Sequence, residues 1–253
     1  MALHMTDLID DGDGDPIVFL HGAGVDNAMW APQQAHFRST HRVIIPNLPG
    51  HGGVPAVDSV EQMAKDVRGR LGALGLRRYA LVGLSLGGMV ALEMAGRWGD
   101  EVSHLAMIET VPTVTGSMAA RWGIKACLLP LLCVPPRWMA RLPGRHLGAE
   151  TSEAATYLKE TLPRLSAAQN HALLSLATDY DGRRHLGALA MPCAVMVGEK
   201  NVRIHARAAA LADAIPGCRH VVLPGAGHIA NLDAPEAINA ALHELLSVRS
   251  DHV

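Results

Sequence analysis

A serine, a histidine and a few carboxylates in this 253-residue chain have the surroundings of a nucleophilic site. Ser85 stands in Gly83-Leu84-Ser85-Leu86-Gly87, between an apolar run at 79–82 and a helical pattern from 87 onward. A sharp strand-to-helix turn lifts such a hydroxyl above the sheet edge, and flanking glycines avoid collisions there. The helix N-terminus then directs N–H groups to where negative charge develops. The sequence predicts a serine nucleophile; an ordinary turn is the alternative.

A serine hydroxyl is a weak nucleophile until a base takes its proton, so a histidine is needed. The chain has 14 histidines, and His228 differs from the others by its position. It ends the Gly-rich loop 224–228, which follows a strand-like run at 221–223 and precedes the last helical pattern. From such a loop a histidine can reach a neighbouring strand end. We predict His228 as the base; a loop histidine that caps the helix is the alternative.

A second Gly-rich loop, His21-Gly22-Ala23-Gly24, follows the apolar run 17–20. Together with the residue after Ser85, it predicts two backbone donors for an oxyanion, the amides of Ala23 and Leu86. The alternative is a dinucleotide loop, but Asn27 replaces the third glycine of that fingerprint. His21 is interpreted as a structural hydrogen-bonding residue.

Short apolar runs alternate with helical patterns, which favours a mostly parallel sheet flanked by helices. The predicted strands are 17–20, 42–46, 79–83, 104–108, 194–197 and 220–223. This alternation stops between residues 113 and 184, where helical segments and prolines predominate. We therefore expect an α/β core domain from 1–112 and 185–253, with a helical cap at 113–184. The cap is rich in Leu, Met and Trp, among them Met118, Trp122 and Trp138, which predict cap core or an apolar substrate lining.

The bulk properties exclude several classes of protein. The formal charge is −2, without a block of like charge, so nucleic acid and membrane surfaces are not expected partners. Four cysteines show neither a paired motif nor metal-ligand spacing, so we expect reduced thiols. The serine and histidine chemistry predicted above requires no metal and no organic cofactor. The N-terminal residues have no basic segment followed by an apolar one, which predicts a cytoplasmic protein.

These pieces, in this order, resemble the α/β-hydrolase superfamily. The matching segments are 21–24, 47–52, 83–88, 198–200 and 225–228, so the resemblance covers nearly the whole chain. It implies an α/β-hydrolase fold and the chain order of nucleophile, acid and histidine. The surroundings of Ser85 look most like those of small capped esterases and enol-lactone hydrolases.

The acid departs from the family pattern. After the strand at 194–197, family members usually carry Gly, two variable residues and then Asp, whereas this chain has Gly198-Glu199-Lys200-Asn201. Asn201 can accept a hydrogen bond from the histidine but cannot offset an imidazolium charge. Glu109, at the end of strand 104–108, is an alternative, because some superfamily members keep their acid there. Glu199, or no acid at all, also remains open.

The resulting expectation is a serine hydrolase that cleaves a small, largely apolar carboxylic ester or lactone through an acyl-enzyme. The same site also suits C–C bond hydrolysis, lyase chemistry or cofactor-free oxygenation. A carboxylate-bearing substrate would then need a cation, for which four arginines of the cap are candidates: Arg121, Arg137, Arg141 and Arg164. A low-turnover small-molecule sensor is the third possibility, and only Asn201 favours it.

Overall fold

The computed structural model describes residues 7–249, so residues 1–6 of the N-terminal segment discussed above lie outside the described part. Seven strands form one sheet in the order β1-β3-β2-β4-β5-β6-β7, and only β1 runs antiparallel to its neighbour. The strands are β1 Leu8–Asp11, β2 Pro16–Leu20, β3 Arg42–Pro46, β4 Tyr79–Leu84, β5 Val102–Ile108, β6 Cys193–Gly198 and β7 Arg219–Leu223. The predicted fold class, a mostly parallel α/β sheet of the α/β-hydrolase type, is confirmed.

Helices cover both faces of the sheet. In chain order they are α1 Ala31–Phe37, α2 Val60–Ala73, α3 Leu86–Arg97, α4 Met118–Leu128, α5 Pro136–Met139, α6 Ser152–Thr161, α7 Ala167–Asp179, α8 His205–Asp213, α9 Ala230–Asp233 and α10 Pro235–Leu246. The second helix illustrates how the sequence specifies them, because Ser59 accepts a hydrogen bond from the Gln62 amide and caps its N-terminus. Its apolar face, which includes Val67 and Leu71, is buried against the sheet.

The central strands are apolar along their whole length because both faces of the sheet are covered. All six residues of β4 are buried, and β4 pairs with β2 on one side and β5 on the other. Parallel pairing continues through β6 and β7, so the carboxyl ends of these strands meet at one edge of the sheet. Ser85, Glu109 and the loop that carries His228 all leave the sheet at this edge.

The six predicted strands are present, each within two residues of its expected start. The structure has a further strand, β1, which pairs with β3 and which the sequence does not predict. Its sequence, Leu-Ile-Asp-Asp, is too short and too acidic to show an alternating pattern. Asp10 of this edge strand binds Arg42 of β3, with Oδ2 2.7 Å from Nη2.

Residues 113–184, called the insertion below, lie between β5 and β6 and contain α4 to α7 with short 3₁₀ turns. The two ends of the insertion meet, since Thr113 and Asp181 form an isolated antiparallel bridge. Several of its large apolar residues are exposed rather than packed, so the expectation that they form the core of the insertion is wrong, while a role in lining a substrate site stays a prediction. Those residues are Met118, Trp122, Leu129, Leu132, Trp138 and Leu142. Helix α4 packs on α7 with one face only, so its other face stays in solvent.

Within residues 7–249, the helices are too short or too polar for any of them to cross a membrane.

Candidate active site

Ser85 occupies the turn between β4 and α3 in a strained backbone conformation, with φ 54° and ψ −115°. Its amide donates to the Ile108 carbonyl at 2.9 Å, which ties the turn to the end of β5. A Cβ at Gly83 would strike the backbone of Gly87, and one at Gly87 would strike the carbonyls of Leu20 and His21. Only glycine therefore permits the close approach of helix and strands that holds the serine in place.

The structure brings Ser85, His228 and Glu109 into one hydrogen-bonded line. The His228 Nδ1 lies 3.0 Å from Glu109 Oε2, and its Nε2 lies 3.2 Å from Ser85 Oγ. Because an ionised carboxylate only accepts, Nδ1 carries the proton and Nε2 is free to accept from the serine hydroxyl. The imidazole is thus held in the tautomer that a general base requires.

Glu109 is fixed by the backbone as well as by its side chain. It has φ 52°, the only positive φ besides Ser85 among the described non-glycine residues. Its amide donates to the Met196 carbonyl of β6 at 2.9 Å, and its Oε1 accepts from the Gly198 amide at 2.5 Å. Strain of this kind, at about 1–3 kcal/mol per residue, persists where the surroundings over-determine it, and it is concentrated at functional sites.

The other two acid candidates lie elsewhere. Asn201 donates through Nδ2 to Glu109 Oε2, the same oxygen that His228 binds, so it contacts the carboxylate rather than the imidazole. The exposed Glu199 accepts from the Gly225 amide at 2.8 Å and pairs with Lys200 at 3.2 Å. Of the three positions that the sequence leaves open, only Glu109 has a carboxylate within hydrogen-bond reach of His228.

The loop that contains Ala23 is held by side chains from the segment after β3. The Gly24 amide donates to His51 Nε2 at 3.0 Å, and the Asn27 amide donates to Asn47 Oδ1 at 2.8 Å. The Ala23 amide has no acceptor within the described chain. Leu86 is the first residue of α3, where an N–H has no intrahelical partner. Both predicted donors are therefore available for an external acceptor.

Two buried histidines support this loop in their neutral form. His21 accepts from the Leu48 amide through Nε2 at 2.9 Å, and its Nδ1 donates to the Gly22 carbonyl at 2.8 Å. Burial lowers the pKa of His21 well below its ordinary value, and the neighbouring His51 lowers it further. Burial also lowers the pKa of His51, although the Pro49 and Leu48 carbonyls oppose this. A neutral ring is required, since a protonated His51 could not accept from Gly24.

The insertion is attached to both sides of the site. On one side, Asp26 accepts from the Tyr157 hydroxyl and from Arg164 Nη1, each at 2.8 Å. Leu162 and Leu165 of the same segment lie beside Gly24, where an added Cβ would meet their side chains at 3.4 and 3.3 Å. The insertion therefore covers the loop that carries Ala23.

On the other side, Asp233 joins the His228 loop to the insertion. Its Oδ2 accepts from the Gly227 amide at 2.9 Å. Its Oδ1 accepts from the amides of Glu150 and Thr151, also at 2.9 Å each. The Ile229 amide donates to the Gly148 carbonyl at 3.0 Å, next to these contacts.

Sequence reasoning misses Asp233 and Thr110, whose Oγ1 donates to the Ser85 carbonyl at 2.8 Å. Thr110 follows Glu109 at the end of β5, so its position at a strand end is a signal that could have found it. Asp233 has no such signal, because an acidic residue at the end of the short helix α9 is unremarkable in sequence.

The four arginines proposed as substrate cations have different surroundings. Arg164 is paired with Asp26, and Arg121 is half-buried, whereas Arg137 and Arg141 are exposed. Among residues 7–249, no cluster of three or more His, Cys, Asp or Glu side chains could hold a metal ion.

Residues 17–241 match the model of the alpha/beta hydrolase family, and the chain belongs to that family. It is 32% identical to a pimeloyl-[acyl-carrier protein] methyl ester esterase from Edwardsiella ictaluri, over 92% of this chain and 94% of that protein. It is also 29% identical to a 2-succinyl-6-hydroxy-2,4-cyclohexadiene-1-carboxylate synthase from Salmonella typhimurium, over 97% of this chain and 99% of that protein.

Solved structures show the same architecture. A thermophilic esterase from Thermogutta terrifontis, in a malate-bound structure, has a TM-score of 0.82 and 28% identity, with 94% of this chain and 92% of that chain covered. The enol-lactonase from Burkholderia xenovorans LB400 has the same TM-score at 22% identity, with 95% and 96% covered, and so shares the fold. The predicted superfamily is therefore confirmed, and the relatives named above include esterases, an enol-lactonase and a synthase.

Proposed function

We propose that this protein is a serine hydrolase that cleaves a small carboxylic ester or lactone through an acyl-enzyme intermediate. The observation that carries the proposal is the continuous hydrogen-bonded line from Ser85 through His228 to Glu109. Similarity to esterases at 32% and 28% identity supports the same reaction class.

In this mechanism, Ser85 Oγ attacks the ester carbonyl while His228 Nε2 takes its proton. Glu109 holds the imidazole in the required tautomer and stabilises the imidazolium that forms. The amides of Ala23 and Leu86 stabilise the oxyanion, and one such donor typically contributes about 10²–10³-fold in kcat.

Departure of the alcohol completes the first half-reaction, and attack by water in the second half-reaction uses the same groups. His228 gives its proton to the leaving alcohol, and the C–O bond of the ester breaks. Water, deprotonated by His228, then attacks the acyl-enzyme and regenerates the Ser85 hydroxyl. Neither half requires a redox partner, because hydrolysis only exchanges an alcohol for water.

We further propose that the insertion is the cap of this site, with 1–112 and 185–253 as the core domain. Its contacts with Gly24 on one side and with the His228 loop on the other support this division. Leu162 and Leu165, adjacent to the loop of Ala23, give the acyl side of the site an apolar boundary. A short, largely apolar acyl group fits that boundary.

The test is hydrolysis of p-nitrophenyl butanoate, together with labelling by a fluorophosphonate and mapping of the adduct by mass spectrometry. We expect turnover and an adduct on Ser85, both abolished by Ser85→Ala. Ser247→Ala, at the exposed end of α10, is the matched control and should retain both. If the folded protein shows no turnover and forms no adduct on Ser85, the proposal is refuted.

A second candidate is a lyase or C–C bond hydrolase reaction at the same serine and histidine. It is favoured by similarity to a synthase across nearly the whole chain. Direct competition between p-nitrophenyl esters and meta-cleavage-type dienoates separates the two. A higher kcat/KM for the dienoates would overturn the esterase assignment and support this alternative.

A further inference from the structure

An open cleft of about 590 Å³ lies beside His228, between the insertion and the loop after β6. One wall comes from residues 145–148 and Glu150 of the insertion, and the other from residues 200–203. His228 itself lines the cleft, so a molecule bound at that part of the cleft can contact the proposed base.

The lining is rich in cations. Arg145 and Arg203 face the cleft from opposite walls, and within the described chain neither guanidinium has a carboxylate within ion-pair distance. Lys200 adds a third positive charge but is paired with Glu199 at 3.2 Å. Glu150 is the acidic residue of the lining. The three cations and the carboxylates of Glu150 and Glu199 together give a net charge of one positive unit. Two guanidinium groups of the cleft remain unpaired.

A guanidinium presents a planar pair of donors that matches a carboxylate or a phosphate, and two of them on facing walls can bind one anion together. Elsewhere on the surface most arginines already have acidic partners, such as Arg42 with Asp10 and Arg68 with Glu101. The unpaired arginines of the cleft form no ion pair within the described protein, so they are available to bind an anion from solution.

The position of the cleft indicates which half of the substrate it would bind. Among the described residues that line it are His228 and Asn201, but not Ser85 or Ala23. In ester hydrolysis the general acid must contact the leaving oxygen, so the alcohol half extends on the histidine side of the reacting carbonyl. The acyl half lies on the opposite side, next to the loop of Ala23.

We propose that this cleft is a subsite for a negatively charged group, a carboxylate or a phosphate, on the alcohol half of the substrate. The inference rests on the proposed ester hydrolysis and specifies its substrate class. Arg145 and Arg203 bind the anion, while His228 protonates the oxygen that leaves. Neither arginine was a candidate from the sequence, because they are 58 positions apart in the chain.

The experiment compares two esters that differ in charge but hardly in shape, 4-(butanoyloxy)benzoate and 4-(butanoyloxy)benzamide. The Arg145→Ala, Arg203→Ala double variant should lower the kcat/KM ratio of benzoate to benzamide about fivefold, through KM, which corresponds to one exposed ion pair. High salt should reduce the same ratio in the native protein, because exposed charges are screened. A third ester, 4-(butanoyloxy)phenyl phosphate, shows whether phosphate is preferred over carboxylate.

Arg77→Ala is the matched control, since Arg77 is exposed just before β4, at the opposite edge of the sheet, and should leave the ratio unchanged. An unchanged ratio in the double variant would overturn the inference while ester turnover still supports the proposed function. p-Nitrophenyl hydrogen adipate and p-nitrophenyl hexanoate differ by a carboxylate on the acyl half. If the double variant lowers kcat/KM only for the adipate, the anion binds through the acyl half, and this result would also overturn the inference. Absence of ester turnover in the native protein would contradict the proposed function itself.

Discussion

Two buried glutamates each bind a histidine in this molecule, and their surroundings differ. Glu109 accepts from His228, from the Gly198 amide and from the Asn201 amide group, all of them neutral donors. Glu93, on α3, accepts from His185 Nε2 at 2.9 Å and from Arg184 Nη2 at 2.7 Å, and it also pairs with Arg97. Neither carboxylate is exposed to solvent.

The comparison shows that the partners of a buried carboxylate decide what it can do. Burial alone would raise the pKa of Glu93, but hydrogen bonds from Arg97 and His185 and the charge of Arg184 outweigh burial and lower it. Permanent cations therefore already compensate this charge, and Glu93 joins α3 to residues 184–185. Within residues 7–249, Glu109 contacts no permanent cation, so in the proposed mechanism its charge is available for the imidazolium that forms only during reaction.

The largest expected effect is on activity, from Glu109→Gln. The amide cannot offset the imidazolium and can hold the histidine in the wrong tautomer, so we expect kcat for p-nitrophenyl butanoate to fall about 10³–10⁴-fold. Circular dichroism and the urea midpoint should change little. A loss of less than about tenfold would show that Glu109 is not the acid.

Glu93→Gln should lower the stability of the protein and leave kcat almost unchanged, the reverse of what we expect for Glu109→Gln. Loss of the carboxylate leaves Arg184 and Arg97 without their charged partner, and we expect the free energy of unfolding to fall by about 2 kcal/mol. Both arginines are partly exposed and can turn to water, which limits the cost. Urea unfolding measures the change. A kcat loss as large as that of Glu109→Gln would abolish the distinction between the two carboxylates.

A smaller effect is expected when the carboxylate is transferred from position 109 to position 201. Because Asn201 contacts the same carboxylate oxygen as His228, Asp at this position could reach the imidazole once Glu109 is removed. Glycine suits the positive φ at 109. We expect Glu109→Gly with Asn201→Asp to recover kcat about tenfold over Glu109→Gly alone. Equal rates for the single and double variants would mean that position 201 cannot supply the acid.

The smallest expected effect is on stability as a function of pH. Burial lowers the folded-state pKa of His21 and His51, so between their folded values and about 6.5 the unfolded chain binds more protons. The stability from these rings is fully present above about pH 6.5 and is lost as the pH falls through that window. Urea midpoints at pH 7.5 and 5.5 measure it.

His51→Gln should flatten the pH dependence, whereas His220→Gln, at an exposed position on β7, should not. An equal slope in both variants would show that His51 does not titrate in this range.

The sheet was predictable from the sequence because its central strands are buried on both faces and appear as apolar runs. β1 was not, since an edge strand with two aspartates has no such pattern. In the insertion, helical periodicity marks the helices, but it does not indicate which face another element covers. Trp122 and Trp138 are therefore exposed against expectation.

The candidate site was likewise predictable only in part. Ser85 and His228 stand on loops whose glycines are visible in the sequence. The choice between Glu109 and Asn201 depends on side-chain direction at two strand ends, which spacing does not encode. Arg145 and Arg203 come together only through the packing of the insertion on the core.

The carboxylate of Asp233 binds amides on both sides of a boundary between chain segments, at Gly227 and at Glu150 and Thr151. The insertion cannot move away from the core at this corner without breaking those hydrogen bonds or displacing the loop that carries His228. For the proposed cap and site, an opening at this corner would also separate His228 from Ser85, so we expect a substrate to enter along another border.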